Sequence, residues 1–437
     1  MPKRTTLPVL MLLALLALAP GAHAREIPGQ YIVVLDDGAD VSDVVADHRR
    51  SARAEVLDSY THALDAYTAR LSAAALAQVK ADPRVAYVTS DREGTAVQAQ
   101  SLPAGINRID ADVSSALAGN GSGAVDADIA IYDTGVQTNH PDLNVVGGVN
   151  CLGPVGTAND GTIGDQMGHG THVAGIAAAR DDANGVVGVA PGARLWSVRV
   201  GDGGGGSTTS GMLCGIDWLT ANGPARGIRV VNASLGLFGK ADDGNCGNTV
   251  GDPMHQAICR STEAGLLWVF AAGNTAGDVN QMPGAGYDEV LAVTAMADSN
   301  GVPNPGSTAT FTCRTISSNK VAAQTEDKYT TWTRYAVSAA DQAHTLASPG
   351  FCVNSTYRNS TYGIQNGTSM AAPHVTGTAA LCFASGQCTG TPAEALRKLM
   401  SDAEAYTRAN PGWGFTGDPL RPTAGRYFGF LARPGLY

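Results

Sequence analysis

The chain has 437 residues, 44% of them hydrophobic and 16% charged, which is enough apolar material for a sizeable core and too little charge for a disordered protein. Its 39 acidic and 29 basic side chains leave a net charge of −10, so an electrostatic footprint for nucleic acid is excluded and no nucleic-acid partner is expected. No apolar run reaches the roughly 20 residues of a membrane span, so no membrane partner is expected.

Lys3 and Arg4 precede an apolar run at 7–19, and Ala22-His23-Ala24 follows it with small residues at cleavage positions. Residues 1–24 are therefore expected to be a signal peptide cut after Ala24, with the protein secreted or periplasmic. Eight cysteines, even in number and without a C-x-x-C pair, agree with an oxidising compartment. They permit on the order of a hundred connectivities. Proximity offers Cys382 with Cys388 and Cys246 with Cys259, which leaves Cys313 with Cys352 and Cys151 with Cys214 by elimination.

Residues 25–98 have a pattern of their own. A strand at 31–35, a helix at 41–53, a strand at 63–71, a helix at 72–80 capped by Ser72 and a strand at 85–88 give a β-α-β-α-β order. Asp82-Pro83 marks the turn before the last strand. A unit under 80 residues is marginal alone. From residue 99 onward, apolar runs at 128–131, 194–200, 228–232, 266–272 and 290–295 read as strands buried on both faces, with helical stretches between several of them. That alternation predicts a doubly wound, mostly parallel α/β sheet. Helices at 369–384 and 392–402 would close the fold, and an aromatic extension at about 401–437 is expected to pack on this domain.

Chemistry-bearing residues cluster at turns. The run at 127–131 ends in Asp133-Thr134-Gly135, placing an acid at a strand's carboxyl end, where open α/β sheets build sites. His169 opens a helix in Gly168-His169-Gly170-Thr171-His172. Asn274 closes the run at 266–272, and its amide could donate to an oxyanion. Ser369 lies in Gly367-Thr368-Ser369-Met370, at a glycine turn that leads into an apolar helix, where backbone N–H groups and the helix dipole favour developing negative charge. A serine hydroxyl needs a base and a group to orient that base. One nitrogen of His169 could face Ser369 and the other Asp133.

Bland readings compete for each residue. A lone Asp-Thr-Gly also marks aspartic proteases, but their dyad needs two such loops and the chain has one. His169 and His172 lack the four-residue spacing and glutamate of zinc proteases, and His172 reads as a packed structural histidine. Asn274 alone would be a turn former and Ser369 alone a helix cap.

Taken together, the DTG, GHGTHVAG, AAGN and GTSMAAPHVTG segments, in the order Asp, His, Asn, Ser, resemble the subtilisin-like serine proteases over about 99–400. The resemblance implies Ser369 as nucleophile, His169 as general acid and base, Asp133 as its orienting acid, and Asn274 with the Ser369 N–H as oxyanion hole. It identifies 25–98 as similar to the family's inhibitor-type propeptide, an α+β ferredoxin-like domain. That domain would assist folding, occupy the cleft as an intramolecular inhibitor, and be removed by self-cleavage near Gln98–Ala99, leaving 99–437 as the peptidase domain.

Further expectations follow from the same resemblance. Ser234, Leu235 and Gly236 resemble the segment that pairs with an extended peptide substrate, and Gly205 and Gly206 the segment facing it. Residues 274–286 should line the first specificity pocket, with Asp278 its one acidic side chain. Gln100, Asp142 and Asp182 are expected to hold a structural calcium ion, and no organic cofactor is implied. The active species is expected to be a monomer. The rival readings are a catalytically silent binding protein of the same fold and, for 25–98 alone, a protease inhibitor.

Overall fold

A computed structural model describes residues 25–36, 38–93, 100–153, 162–317 and 321–437. The expected signal peptide and the expected cleavage point at Gln98–Ala99 lie outside the described residues. The chain divides into two compact units, Met1–Val97 and Gln98–Tyr437.

In the first unit a four-stranded antiparallel sheet has the order Glu55–Tyr60, Ala66–Arg70, Arg25–Leu35, Val85–Glu93. Helices Val41–Ser51 and Ala73–Lys80 bury Val44 and Val79 against Val33, Leu35 and Tyr67. Ser72 accepts the Ala75 N–H at 3.2 Å, as a helix cap does. The order is thus β-α-β-β-α-β, a ferredoxin-like topology. Strand Glu55–Tyr60 is absent from the sequence reading because five of its six residues are exposed, leaving no apolar alternation to recognise.

The second unit is built on a sheet whose parallel strands run, in spatial order, Phe430–Leu431, Thr345–Phe351, Leu291–Ala297, Leu267–Ala271, Ile228–Ala233, Asp128–Asp133, Arg194–Arg199 and Val145–Asn150. Lys328–Tyr329 adds an antiparallel pairing to Leu291–Ala297. Alternate side chains of each strand enter different cores. Ile129, Ile131, Leu267, Val269, Leu291 and Val293 face one, while Ala130, Tyr132, Trp268, Phe270 and Ala292 face the other. Helices His169–Ala178 and Thr368–Ala384 cover the first face, and Thr209–Asn222 and Pro253–Glu263 the second. The sheet is therefore covered on both sides, the doubly wound architecture expected.

Strands Val145–Asn150, Thr345–Phe351 and Phe430–Leu431 were not anticipated. Gly147 and Gly148 interrupt the first, and Pro349 with Gly350 the second, residues that ordinarily argue against a strand interior. The aromatic tail is part of the core: Trp413, Phe415, Phe428, Phe430 and Leu431 are buried in it. Disulfides join Cys151 to Cys214, Cys246 to Cys259, Cys313 to Cys352 and Cys382 to Cys388.

Candidate active site

Asp133 ends its strand with a side chain only 1% exposed, and its Oδ1 lies 2.7 Å from Nδ1 of His169. The Thr134 N–H also donates to Oδ1 at 2.7 Å, fixing the carboxylate. His169 starts its helix beside this loop, and Gly170 makes the approach possible, because a Cβ there would collide with the Gly135 carbonyl. Burial disfavours the imidazolium, but the charge of Asp133, its hydrogen bond and then the charge of Asp165 outweigh that effect. His169 therefore titrates above its ordinary value.

Asp165 is a residue that the sequence reading passed over. Its Oδ1 accepts from Thr134 Oγ1, Met167 N and Gly168 N at 3.0, 2.9 and 2.8 Å, and its Oδ2 accepts from Thr171 N and Oγ1 at 2.9 and 2.7 Å. One carboxylate thus ties the loop after Asp133 to the start of the His169 helix. An acid four residues before a helix-opening histidine, with glycine between, is the signal that could have found it.

Ser369 stands in the first turn of helix Thr368–Ala384, which follows Gly367 and is buried along nearly its whole length. Pro373 has no N–H, so the carbonyl of Ser369, four residues earlier, lacks its intrahelical donor. The Ser234 hydroxyl replaces that donor at 2.8 Å, and Asn232 Nδ2 donates to the same hydroxyl at 2.9 Å. In return the Ser369 hydroxyl donates to the Ser234 carbonyl at 3.0 Å. Among the described residues no hydrogen bond joins Ser369 Oγ to His169. The expected facing of these two groups is not formed as a hydrogen bond in this state, where the main-chain carbonyl of Ser234 takes the hydroxyl proton.

Asn274 is fixed by its carbonyl end. Its Oδ1 accepts from Thr368 N at 2.8 Å and Thr368 Oγ1 at 3.0 Å, while Thr368 Oγ1 also accepts the Gly273 N–H at 3.0 Å. The side chain is exposed, and its Nδ2 end is left to donate outward near Gly367. The first N–H groups of a helix have no intrahelical acceptor, so the Ser369 N–H is a second donor beside it.

Leu235 and Gly236 continue beyond strand Ile228–Ala233, next to Ser234. Met282 packs against Gly236 and Gly273, and Arg334 lies across Gly273, donating to Asp278 O at 2.7 Å and Thr275 Oγ1 at 3.2 Å. Neither Met282 nor Arg334 was singled out for its chemistry in the sequence. Asp278, the acidic side chain considered there, caps the short helix Val279–Gln281. Gly205 and Gly206 lie in a turn closed by Asp202, whose Oδ1 accepts the Gly204 and Gly206 N–H groups at 2.8 Å.

Gln100, Asp142 and the 180–186 loop come together. Gln100 Nε2 donates to the carbonyls of Arg180 at 2.8 Å and Val186 at 3.4 Å, and Asp142 Oδ2 accepts the Val186 N–H at 3.0 Å. Asp142 Oδ1 is buried without a hydrogen-bond partner. Burial, and secondarily the charge of Asp182, push Asp142 up to about 7. An orphaned carboxylate oxygen beside main-chain carbonyls and a second acid fits a hard cation with oxygen ligands. Asp182 itself is exposed and accepts from Asn184. His172 is buried and donates from Nε2 to the Gly363 carbonyl at 2.9 Å, and burial pushes it down to about 3, the state of a neutral packed imidazole.

Residues 126–416 match the model of the subtilase family, and residues 30–95 that of the peptidase inhibitor I9. The chain is 30% identical over 361 residues to M-protease of Shouchella clausii (strain KSM-K16), covering 83% of this chain and 79% of that protein. It is 36% identical over 286 residues to subtilisin DY of Bacillus licheniformis, covering 65% and 85%. It is 33% identical over 343 residues to subtilisin E of Bacillus subtilis (strain 168), covering 78% and 76%.

Proposed function

This chain belongs to the subtilase family of serine endopeptidases, and we propose that it hydrolyses extended polypeptides with Asp133, His169 and Ser369 as its catalytic side chains. The observation that carries this reading is the 2.7 Å contact between a buried Asp133 carboxylate and His169 Nδ1, at the carboxyl edge of the parallel sheet. Asp133 fixes the tautomer that leaves Nε2 of His169 as the base.

A substrate backbone pairs with the 234–236 segment, and the Ser369 hydroxyl turns from the Ser234 carbonyl to His169. Nε2 takes its proton as Oγ attacks the scissile carbonyl carbon. The oxyanion is stabilised by Asn274 Nδ2 and the Ser369 N–H. His169 then returns the proton to the leaving amine, giving an acyl-enzyme, and repeats both transfers as water releases the acid. Gly205 and Gly206 face the substrate from the other side.

The inhibitor-type domain at 25–98 makes the product of translation a zymogen that cuts itself near Gln98–Ala99. Residues 1–24 direct it out of the cytoplasm. Gln100, Asp142 and Asp182, with the Arg180 and Val186 carbonyls, would hold a calcium ion, whose charge would satisfy the orphaned Asp142 oxygen. The experiment is a cleavage profile on a peptide library by native and Ser369→Ala protein. The native enzyme cleaves extended peptides, and the variant neither cleaves them nor loses its own residues 25–98. Maturation or library cleavage by purified Ser369→Ala protein overturns the reading.

A further inference from the structure

At the amino edge of the sheet, opposite in strand direction to the edge that carries Asp133 and Asn274, three segments bring two carboxylates and an imidazole together. Asp288 precedes strand Leu291–Ala297, Asp341 lies in the short helix Ala339–Gln342, and His344 immediately precedes strand Thr345–Phe351. These strands are parallel neighbours, with Ala292 opposite Thr345.

His344 is 2% and Asp341 1% exposed. His344 Nε2 lies 3.7 Å from Asp288 Oδ1 and 4.0 Å from Asp341 Oδ1. These separations are too long for hydrogen bonds. Both ring nitrogens of His344 and Oδ1 of Asp341 are buried without a hydrogen-bond partner. The Val290 carbonyl interacts with the ring without reaching full hydrogen-bond geometry. Leaving a buried polar atom unpaired is unfavourable, so His344 Nε2 and Asp341 Oδ1, two such atoms 4.0 Å apart, call for a common partner. Asp341 is oriented for one, because the Ser338 hydroxyl holds its other oxygen at 2.6 Å.

The geometry points to a divalent transition-metal site formed by Asp288, Asp341 and His344, with zinc the best match to one imidazole and two carboxylates. Two ligands that each lie about 2.1 Å from one zinc ion are at most about 4.2 Å apart, which accommodates both separations at Nε2. The candidate ligand atoms all lie within 4.8 Å of one another, and the half-exposed Asp288 side chain is free to close the remaining gap. A cavity of ≈ 360 Å³ lined by Asp288, His344, Thr262 and Arg397 opens beside them and supplies both an entry path and a water as fourth ligand. Asp242 and Glu289 add negative charge nearby, offset by His255 and Arg397. A soft-to-borderline cation with a nitrogen ligand distinguishes this site from the all-oxygen calcium site at Asp142. Its role is to clamp two neighbouring strands.

The test uses untagged Ser369→Ala protein, stripped with chelator and then kept in saturating calcium, so that neither autolysis nor the Asp142 site interferes. Calorimetric titration with zinc alone is expected to show one ion bound, and at about 100 times its Kd the Tm rises by roughly 3 °C. Asp288→Asn weakens zinc at least about tenfold, and His344→Gln removes it. Absence of zinc binding overturns the proposal, as does binding that both variants leave unchanged. If His344→Gln fails to fold, the solvent-facing Asp288→Asn decides alone.

Discussion

Ser234 and Ser369 hold each other reciprocally: the Ser234 hydroxyl donates to the Ser369 carbonyl at 2.8 Å, and the Ser369 hydroxyl donates to the Ser234 carbonyl at 3.0 Å. The first bond exists because Pro373 removes the donor that an uninterrupted helix would supply. The 234–236 segment, proposed to meet substrate, and the helix that carries the proposed nucleophile are therefore fastened at Ser369.

Ser234→Ala leaves the Ser369 carbonyl unpaired and is expected to destabilise the protein by about 1–3 kcal/mol. Adding Pro373→Ala restores an N–H four residues on, so the loss caused by Ser234→Ala is smaller in that background. Denaturant unfolding of the four proteins in a double-mutant cycle, made in Ser369→Ala protein to prevent autolysis, measures the coupling. Additive losses would show that the two groups do not share the carbonyl.

The acid limb of activity reports His169. Its folded value is raised, so the imidazole becomes protonated, and unable to act as base, as pH falls through a point above its ordinary 6.5. Asp165→Asn removes one of the charges that raise it and moves the limb of the kcat/KM profile to lower pH, with a fall in kcat as the two loops loosen. A limb that stays in place would confine Asp165 to a packing role.

Asn274→Ala removes one oxyanion donor. The expected loss is about 100- to 1,000-fold in kcat with little change in KM, because the interaction forms in the transition state. Steady-state kinetics on one peptide substrate separate the two parameters.

Chelation should lower the Tm of mature enzyme, and excess calcium should restore it by mass action. Asp142→Asn weakens that dependence, since it neutralises the buried carboxylate whose Oδ1 has no other partner. Calorimetric melting with and without chelator checks it.

What the sequence made legible was the part with regular spacing. Buried runs such as 266–272 announce strands, and Asp133, Asn274 and Ser369 announce themselves by ending a run or opening a helix. Strand Thr345–Phe351 was hidden because Pro349 and Gly350 speak against a strand, yet its neighbour beyond is only the two-residue Phe430–Leu431. Asp165 was overlooked although its place four residues before His169 is a local signal. The Asp288, Asp341 and His344 cluster was hidden for another reason: its meaning lies in contacts between segments far apart in the chain, and no local pattern encodes those.

The most direct test of the central claim is intact-mass analysis and peptide mapping after treatment with a sulfonyl fluoride. The account predicts a single adduct on Ser369 that abolishes peptide cleavage in step with labelling, and almost no labelling in His169→Ala protein. An adduct on another residue, or full cleavage by protein fully labelled at Ser369, would contradict it.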